Sequence, residues 1–101
     1  MLSKSVLPKS KVSLRKLSES GHAAMLNRDW SLAIRTYRKI LKIDPEDVSV
    51  WSNLGAAYLE ILDVTRAKKA LNKALTIEPN SITALGNVAN LNKQTGNIKA
   101  A

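Results

Sequence analysis

The sequence predicts an all-α fold, a solenoid in which antiparallel helix pairs stack on one another. Three observations predict it. The proline-containing segments 43–45 and 77–79 lie 34 residues apart, and the residues before them correspond at the same spacing. Apolar residues recur at intervals of three and four, which places them on one face of a helix, and no stretch shows the alternation of a strand. A fixed period of this length is typical of stacked supersecondary units.

The period divides the chain into units that each supply a helix pair. Two full units fill residues 14–47 and 48–81, and a third begins at residue 82 and is cut at residue 101. The predicted helices cover residues 14–27, 31–43, 48–61, 64–77 and 82–94. Asp29 and Asp63 precede the second helix of successive units, where a carboxylate can accept hydrogen bonds from the unpaired N–H groups of the first turn. Pro79 ends the fourth helix, and Asn80 and Ser81 offer capping oxygens to the fifth.

Residues 1–13 form a basic arm that we expect to be flexible. The net charge of the chain is +8. The first 18 residues hold no acid and these bases: Lys4, Lys9, Lys11, Arg15 and Lys16. A solvated tail is the ordinary interpretation, and an anchor to nucleic acid or an anionic membrane surface is the alternative. No secretory signal is present, so we expect a cytoplasmic protein. A mitochondrial presequence is the weaker alternative, because Lys stands in place of Arg and Pro8 interrupts an amphipathic helix.

The composition argues against an enzyme and against a bound cofactor or metal. The sequence has no Cys and a single His, His22, so it lacks thiolate chemistry and has one imidazole. The acids are scattered and the four glycines are isolated, so neither a carboxylate pair nor a phosphate-binding loop is present. No apolar run approaches the roughly 20 residues of a membrane span. The sequence therefore predicts no catalytic residue, no cofactor, no metal site and no membrane span.

The second unit resembles a tetratricopeptide repeat, whose signature is W-x₂-L-G-x₂-Y, then A-x₃-F, then P. The matching residues are Trp51, Leu54, Gly55, Tyr58, Ala67 and Pro79, with Leu71 in place of the second aromatic residue. The first unit keeps Gly21, Ala33, Tyr37 and Pro45 in the equivalent places. The resemblance covers residues 14–101. It implies a right-handed α-solenoid.

The signature alternates small and large residues for a packing reason. Gly21 and Gly55 let the paired helix backbones approach closely. Large side chains such as Tyr37, Trp51 and Tyr58 then fill the gaps between neighbouring helices, and burying each one is worth about 1.5–3 kcal/mol. The aromatic residues are therefore explained as core without a bound ligand.

The resemblance implies a protein–protein interaction module, a scaffold that docks a peptide or helix of a partner in a concave groove. In this family the first helix of each unit lines that groove. The candidate groove residues are Ser49, Ser52, Asn53, Ala56, Glu60, Thr83, Asn87 and Asn90. They are polar or small and nearly neutral. Chaperone-binding members hold an acidic tail with a clamp of Lys, Arg and Asn, of which only Asn53 agrees here, so we do not expect that mechanism.

A first alternative comes from the tandem Asn53 and Asn87, which lie one period apart. They are similar to the asparagine ladder in the repeats of O-linked N-acetylglucosamine transferases. A side-chain amide both donates and accepts, so it can pair with the backbone of an extended peptide. The chain would then be the substrate-recruiting fragment of a larger enzyme such as a glycosyltransferase, which the end inside a unit favours.

A second alternative is a basic binder of nucleic acid or of an anionic surface. Basic residues follow the second helices of both units: Arg35, Arg38, Lys39, Lys42, Arg66, Lys68, Lys69 and Lys73. We expect them to be solvated charge on the convex side. No aromatic residues interleave with this basic stripe as single-strand binding would need, and this argues against nucleic acid.

The unfinished third unit predicts self-association through the C-terminal end. Leu85, Val88 and part of Leu91 would lack a covering helix, and Ile98 would also be exposed. Contiguous apolar patches of several hundred Å² are uncommon on soluble monomers and usually mark an interface. We therefore expect a homo-oligomer in which this end is hidden.

Overall fold

Five helices form within residues 9–100, which are the residues described by the computed structural model; side chains are described for residues 13–96. They are α1 (Lys9–Leu26), α2 (Trp30–Ile43), α3 (Val48–Glu60), α4 (Val64–Ile77) and α5 (Ile82–Ala100). Each helix packs on the next, and α5 also packs on α3. No strand occurs in this part of the chain. The predicted all-α solenoid of helix pairs is confirmed.

The two outer helices extend beyond their predicted bounds. α1 begins at Lys9 rather than at residue 14, directly after a proline, which is compatible with the start of a helix. Residues 9–13 are therefore helical, whereas residues 1–8 of the predicted arm lie outside the described residues. α5 continues to Ala100 instead of ending at residue 94, in a stretch that contains no proline.

The turns inside the first two units share one backbone conformation. Arg28 and Leu62 lie one period apart and have φ angles of 61° and 64°, in the left-handed region that non-glycine residues enter at a cost of about 1 kcal/mol. The next N–H group bonds back across the turn, from Asp29 N to Ala24 O at 2.8 Å and from Asp63 N to Tyr58 O at 2.9 Å. This is the Schellman arrangement, which satisfies carbonyls at the end of a helix.

The same aspartates also begin the following helices. The Asp29 carboxylate accepts from Leu32 N at 3.2 Å, and the Asp63 carboxylate accepts from Arg66 N at 3.1 Å. Each aspartate therefore closes one helix with its backbone and opens the next with its side chain. The predicted N-caps are confirmed.

Between units, a capping side chain and an aromatic residue fix the chain. The Ser81 hydroxyl accepts from Ala84 N at 3.2 Å and caps α5, as predicted, while Asp47 accepts from Val50 N at 3.1 Å and caps α3. The indole Nε1 of Trp51 donates to Pro45 O at 2.7 Å. This bond ties α3 to the linker that precedes it.

Within each unit, glycine sets the distance between the two helices. A Cβ atom built on Gly21 would lie 2.6 Å from Tyr37 Cε1, and one built on Gly55 would lie 2.6 Å from Leu71 Cδ2. Real Cβ contacts are not this short, so a larger residue would force the helices apart or displace the ring or the leucine. The prediction that small residues allow close backbone approach is confirmed at both positions.

The exposed face of α5 agrees in part with the prediction of an uncovered end. Leu85 is 47% exposed, and Val88 is half-buried. Leu91, by contrast, is only 6% exposed because it joins the core cluster, so the prediction is wrong for this residue. The Ile98 side chain lies outside the described residues.

Replacing Gly55 with Ala should destabilise the protein by about 1–3 kcal/mol, since the added methyl group overpacks the contact with Leu71. Gly86 is the matched control, because it is helical and exposed and a Cβ there meets no atom within 4 Å. Gly86→Ala should instead be neutral or stabilise by up to about 1 kcal/mol. Urea unfolding of both variants measures the difference; equal effects would contradict the close approach of α3 and α4.

The cap at Asp63 should make stability depend on pH. The Arg66 guanidinium, through a 2.8 Å hydrogen bond, and the Arg66 backbone N–H together hold the pKa of the Asp63 carboxyl below its ordinary value of 3.8. Because folding lowers this pKa, the carboxylate stabilises the folded state above the ordinary value, and this contribution disappears as the pH falls through the lowered value.

Asp63→Asn keeps a capping oxygen but removes the charge, so its stability should decline less between about pH 5 and pH 2 than that of the native chain. Arg66→Gln is the partner control and should flatten the same part of the profile. Thermal unfolding across this pH range measures both. A native-like acid decline in Asp63→Asn would show that the pair does not contribute.

Candidate functional site

A groove runs between α3 and α5 and holds a cavity of about 290 Å³. It is named here the α3–α5 groove. Its lining residues are Ala56, Leu59 and Glu60 from α3, and Asn87, Asn90, Lys93 and Gln94 from α5. The residues recur at intervals of three and four, so each helix contributes one face.

Two side-chain amides join the helices that form this groove. Asn87 Nδ2 donates to the carbonyl oxygen of Ser52 at 3.0 Å, and Gln94 Nε2 donates to that of Leu59 at 3.5 Å. Asn87 and Gln94 are seven residues apart, about two helical turns, so they act on the same side of α5. Together they fix the separation of α3 and α5, and therefore the width of the groove.

The groove offers hydrogen-bonding groups with little net charge. Glu60 and Lys93 supply one acid and one base, and both are exposed. Asn90 is exposed and presents a donor and an acceptor. Asn87 has its amide oxygen left, because its nitrogen is bonded to α3. Such a set can pair with the N–H and C=O groups of a peptide backbone.

The structure brings four of the eight predicted groove residues together: Ala56, Glu60, Asn87 and Asn90. Ser49 and Thr83 are exposed in the first turns of α3 and α5 and do not line the cavity. The prediction is wrong for the Ser52 side chain, which is 0% exposed and donates to Val48 O at 3.0 Å. Its backbone carbonyl serves the groove instead, by accepting from Asn87.

Asn53 lies in different surroundings from Asn87, although the two are one period apart. It is half-buried and lies beside the buried ring of Tyr37 on α2. Burial raises the pKa of Tyr37, and the Asn53 amide partly opposes this. The Tyr37 hydroxyl has no hydrogen-bond partner of good geometry among the described residues. Of the two asparagines in the predicted ladder, Asn87 therefore lines the α3–α5 groove, whereas Asn53 lies near Tyr37 of α2.

Leu59 and Lys93 line the groove but were not among the predicted residues. They are themselves one period apart and lie next to Glu60 and Gln94 along their helices. Leu59 is 4% exposed, and its apolar side chain predicts a position in the hydrophobic core and not in a groove. The shared period was the signal that could have revealed both positions.

Residues 9–100 hold neither a cluster of metal ligands nor a helix fit to cross a membrane. No three His, Asp or Glu side chains of this region are grouped in a way that could hold a metal ion. None of its helices combines the length and the apolar character required to cross a membrane.

Comparison with known proteins agrees with this geometry. A family model described as TPR repeat matches residues 21–61, and a second, described as tetratricopeptide repeat, matches residues 48–81. The two overlap and together span more than half of the chain. The boundaries of the second match are those of the second unit.

Relatives and solved structures show the same repeats. The chain is 30% identical over 70 residues to small glutamine-rich tetratricopeptide repeat-containing protein 2 of Saccharomyces cerevisiae, which covers 69% of this chain and 20% of the relative. The chain thus spans about a fifth of that protein. The TPR2B domain of yeast Sti1, solved in complex with pHsp70, superposes with a TM-score of 0.80 at 24% identity, covering 88% of this chain and 71% of that one.

A solved O-GlcNAc transferase has the same fold in part of its length. An O-GlcNAc transferase mutant of Thermobaculum terrenum superposes with a TM-score of 0.78 at 20% identity, over 86% of this chain and 17% of that one. At such identities the superpositions show the fold alone. The sequence matches, the 34-residue period and the paired helices lead to one conclusion: this chain belongs to the tetratricopeptide repeat family.

Proposed function

We propose that the chain is a binding module without catalysis of its own, and that it docks an extended peptide or a helix of a partner protein in the α3–α5 groove. One observation carries the proposal. The groove between α3 and α5 is lined by three amide side chains, Asn87, Asn90 and Gln94, and Asn87 joins the two helices by a hydrogen bond. Backbone groups of a peptide are the natural partners of such amides.

The charge in the groove indicates which peptides it accepts. Glu60 and Lys93 stand on opposite walls, so their charges offset each other. A stretch of carboxylates would be attracted by Lys93 but repelled by Glu60. A peptide that is neutral at the contact, or that places a base towards Glu60 and an acid towards Lys93, is therefore favoured over an acidic tail.

The yeast Sti1 domain supports the proposal that this fold docks a peptide, but it does not identify the partner of the present chain. Its structure is described as a complex with pHsp70. For the present chain we propose the docking of a peptide, since the fold is shared. We do not propose the same peptide, because Asn53 alone matches the clamp residues and it does not line the α3–α5 groove.

Three further predictions remain attached to this proposal. The chain spans a fifth of the yeast relative, so a role as the substrate-recruiting part of a larger protein stays a prediction. Self-association through α5 also stays one, supported by the 47% exposure of Leu85. A cytoplasmic location is the third.

Ala56→Arg tests the proposal, because a long side chain at this half-buried position would occupy the α3–α5 groove. Ser31→Arg is the matched control: it adds the same side chain at an exposed position of α2 outside the groove. A partner would be isolated on the immobilised native chain, and its affinity would then be measured for both variants by calorimetry.

We expect Ala56→Arg to weaken binding by about tenfold or more, which corresponds to about 1.4 kcal/mol of lost contact, and Ser31→Arg to leave it unchanged. Circular dichroism would verify that both variants remain helical. A partner that binds Ala56→Arg as tightly as the native chain would contradict docking in this groove.

A further inference from the structure

A larger depression lies between α2 and α4, with α3 as its floor, and has a volume of about 620 Å³. It is named here the α2–α4 groove. Its apolar lining consists of Leu41, Trp51, Leu54, Tyr58 and Ala70. Its rim consists of five bases, Arg38, Lys42, Arg66, Lys69 and Lys73, and no acid lines it.

This groove is separate from the α3–α5 groove. The two share no lining residue. On α3 the first uses residues 51, 54 and 58, whereas the second uses residues 56, 59 and 60. At 3.6 residues per turn the centres of these two sets are about 160° apart around the helix. A ligand in one groove therefore leaves the other free.

The rim is positively charged with little internal compensation. Arg66 pairs with Asp63 at 2.8 Å. Within the described part of the chain, no carboxylate forms an ion pair with the other four bases. These bases come from two helices and face one depression, so their fields add and attract an anionic partner.

The floor of the groove is apolar and fixed in place. Leu54 is 4% exposed and Ala70 is 2% exposed. The Trp51 ring is half-buried, and its Nε1 donates to Pro45 O, so its remaining surface in the groove is apolar carbon. A fully hydrated polyanion gains nothing from such a floor. An apolar side chain that displaces water there, chiefly from the half-buried Trp51 ring, is stabilised by the burial of apolar surface.

We propose that the α2–α4 groove is a second docking surface, which binds an acidic peptide segment of a partner protein by inserting an apolar side chain between the two rows of bases. Charge complementarity selects the acidic residues of the segment. The apolar floor selects the side chain that anchors it. The volume of about 620 Å³ lies within the range of about 300–1,000 Å³ that is typical of ligand-binding pockets.

A nucleic acid suits this groove less well. Base stacking requires an exposed aromatic face. Of the two aromatic residues in the lining, Tyr58 is only 7% exposed, which leaves the half-buried Trp51 ring as the one face on which a base could stack. The bases also surround one depression rather than forming a continuous track along the molecule. The structure does bring Trp51 and Tyr58 between the basic rows, which the sequence of α2 and α4 alone does not show.

The test uses two synthetic peptides and two charge-matched variants of the full chain. One peptide is a short run of glutamates with a central leucine, and the other has serine in place of the leucine. The groove variant combines Arg38→Gln with Lys69→Gln. The control variant combines Arg35→Gln with Lys68→Gln, which removes one base from each of the same helices at exposed positions outside the groove.

Binding would be followed by amide chemical shifts in NMR titrations at low salt. We expect the leucine peptide to shift the amide signals of α2, α3 and α4. Its affinity for the groove variant should be lower by a factor of about five or more, because exposed charge pairs each contribute modestly to binding. The control variant should change its affinity less than about twofold. The serine peptide should bind the native chain about fivefold or more weakly than the leucine peptide.

Several results would overturn the proposal. One is an equal loss of affinity in the two variants, which would mean attraction by net charge alone. Another is equal affinity for the two peptides, or no binding at millimolar concentration. A single-stranded oligonucleotide of matched charge that binds more tightly than the leucine peptide, and that loses affinity in the groove variant alone, would assign the groove to nucleic acid instead.

Discussion

Gly55 leaves no room for a side chain between α3 and α4, since a Cβ atom there would lie 2.6 Å from Leu71 Cδ2. α3 packs on α4 through this close approach, and it also packs on α2 and on α5. α3 is therefore in contact with three other helices. Both grooves have α3 as a wall or floor, so both depend on this placement.

The turns preserve that placement with few residues. In each of the first two units, an aspartate bonds back to the helix before it and caps the helix after it. Arg28 and Leu62 adopt left-handed backbone conformations, which are strained. The hydrogen bonds of the turns and the packing of each helix pair offset this strain. The result is a rigid scaffold on which groove side chains can vary without altering the fold.

The sequence predicts most of the fold because its determinants are local. Helix spacing, the caps at Asp29, Asp63 and Ser81, and the small residues at Gly21 and Gly55 all follow from residue type and period. The bounds of α1 and α5 were less predictable. In both cases the additional helical residues lie where the 34-residue signature gives little guidance, before the first unit and inside the incomplete third unit.

The candidate site was predicted less completely, because it depends on how helices are rotated against each other. Ser52 looks like a surface residue in sequence but is turned inward, where its hydroxyl bonds to its own helix. Asn53 and Asn87 have equal places in the repeat yet contact different partners. Trp51 lies between the bases of α2 and α4 because these helices stack on either side of it. This arrangement is not visible in the linear sequence.

If the solenoid depends on α3, the local stability of the helices should fall with distance from α3. In a stacked array, a helix gains stability from each neighbour that covers it. Amide hydrogen exchange measured by NMR under native conditions tests this most directly. We expect the slowest exchange in the middle of α3, intermediate rates in α2 and α4, and the fastest in α1 and α5. Exchange in α1 or α5 as slow as that in α3 would contradict this dependence on α3.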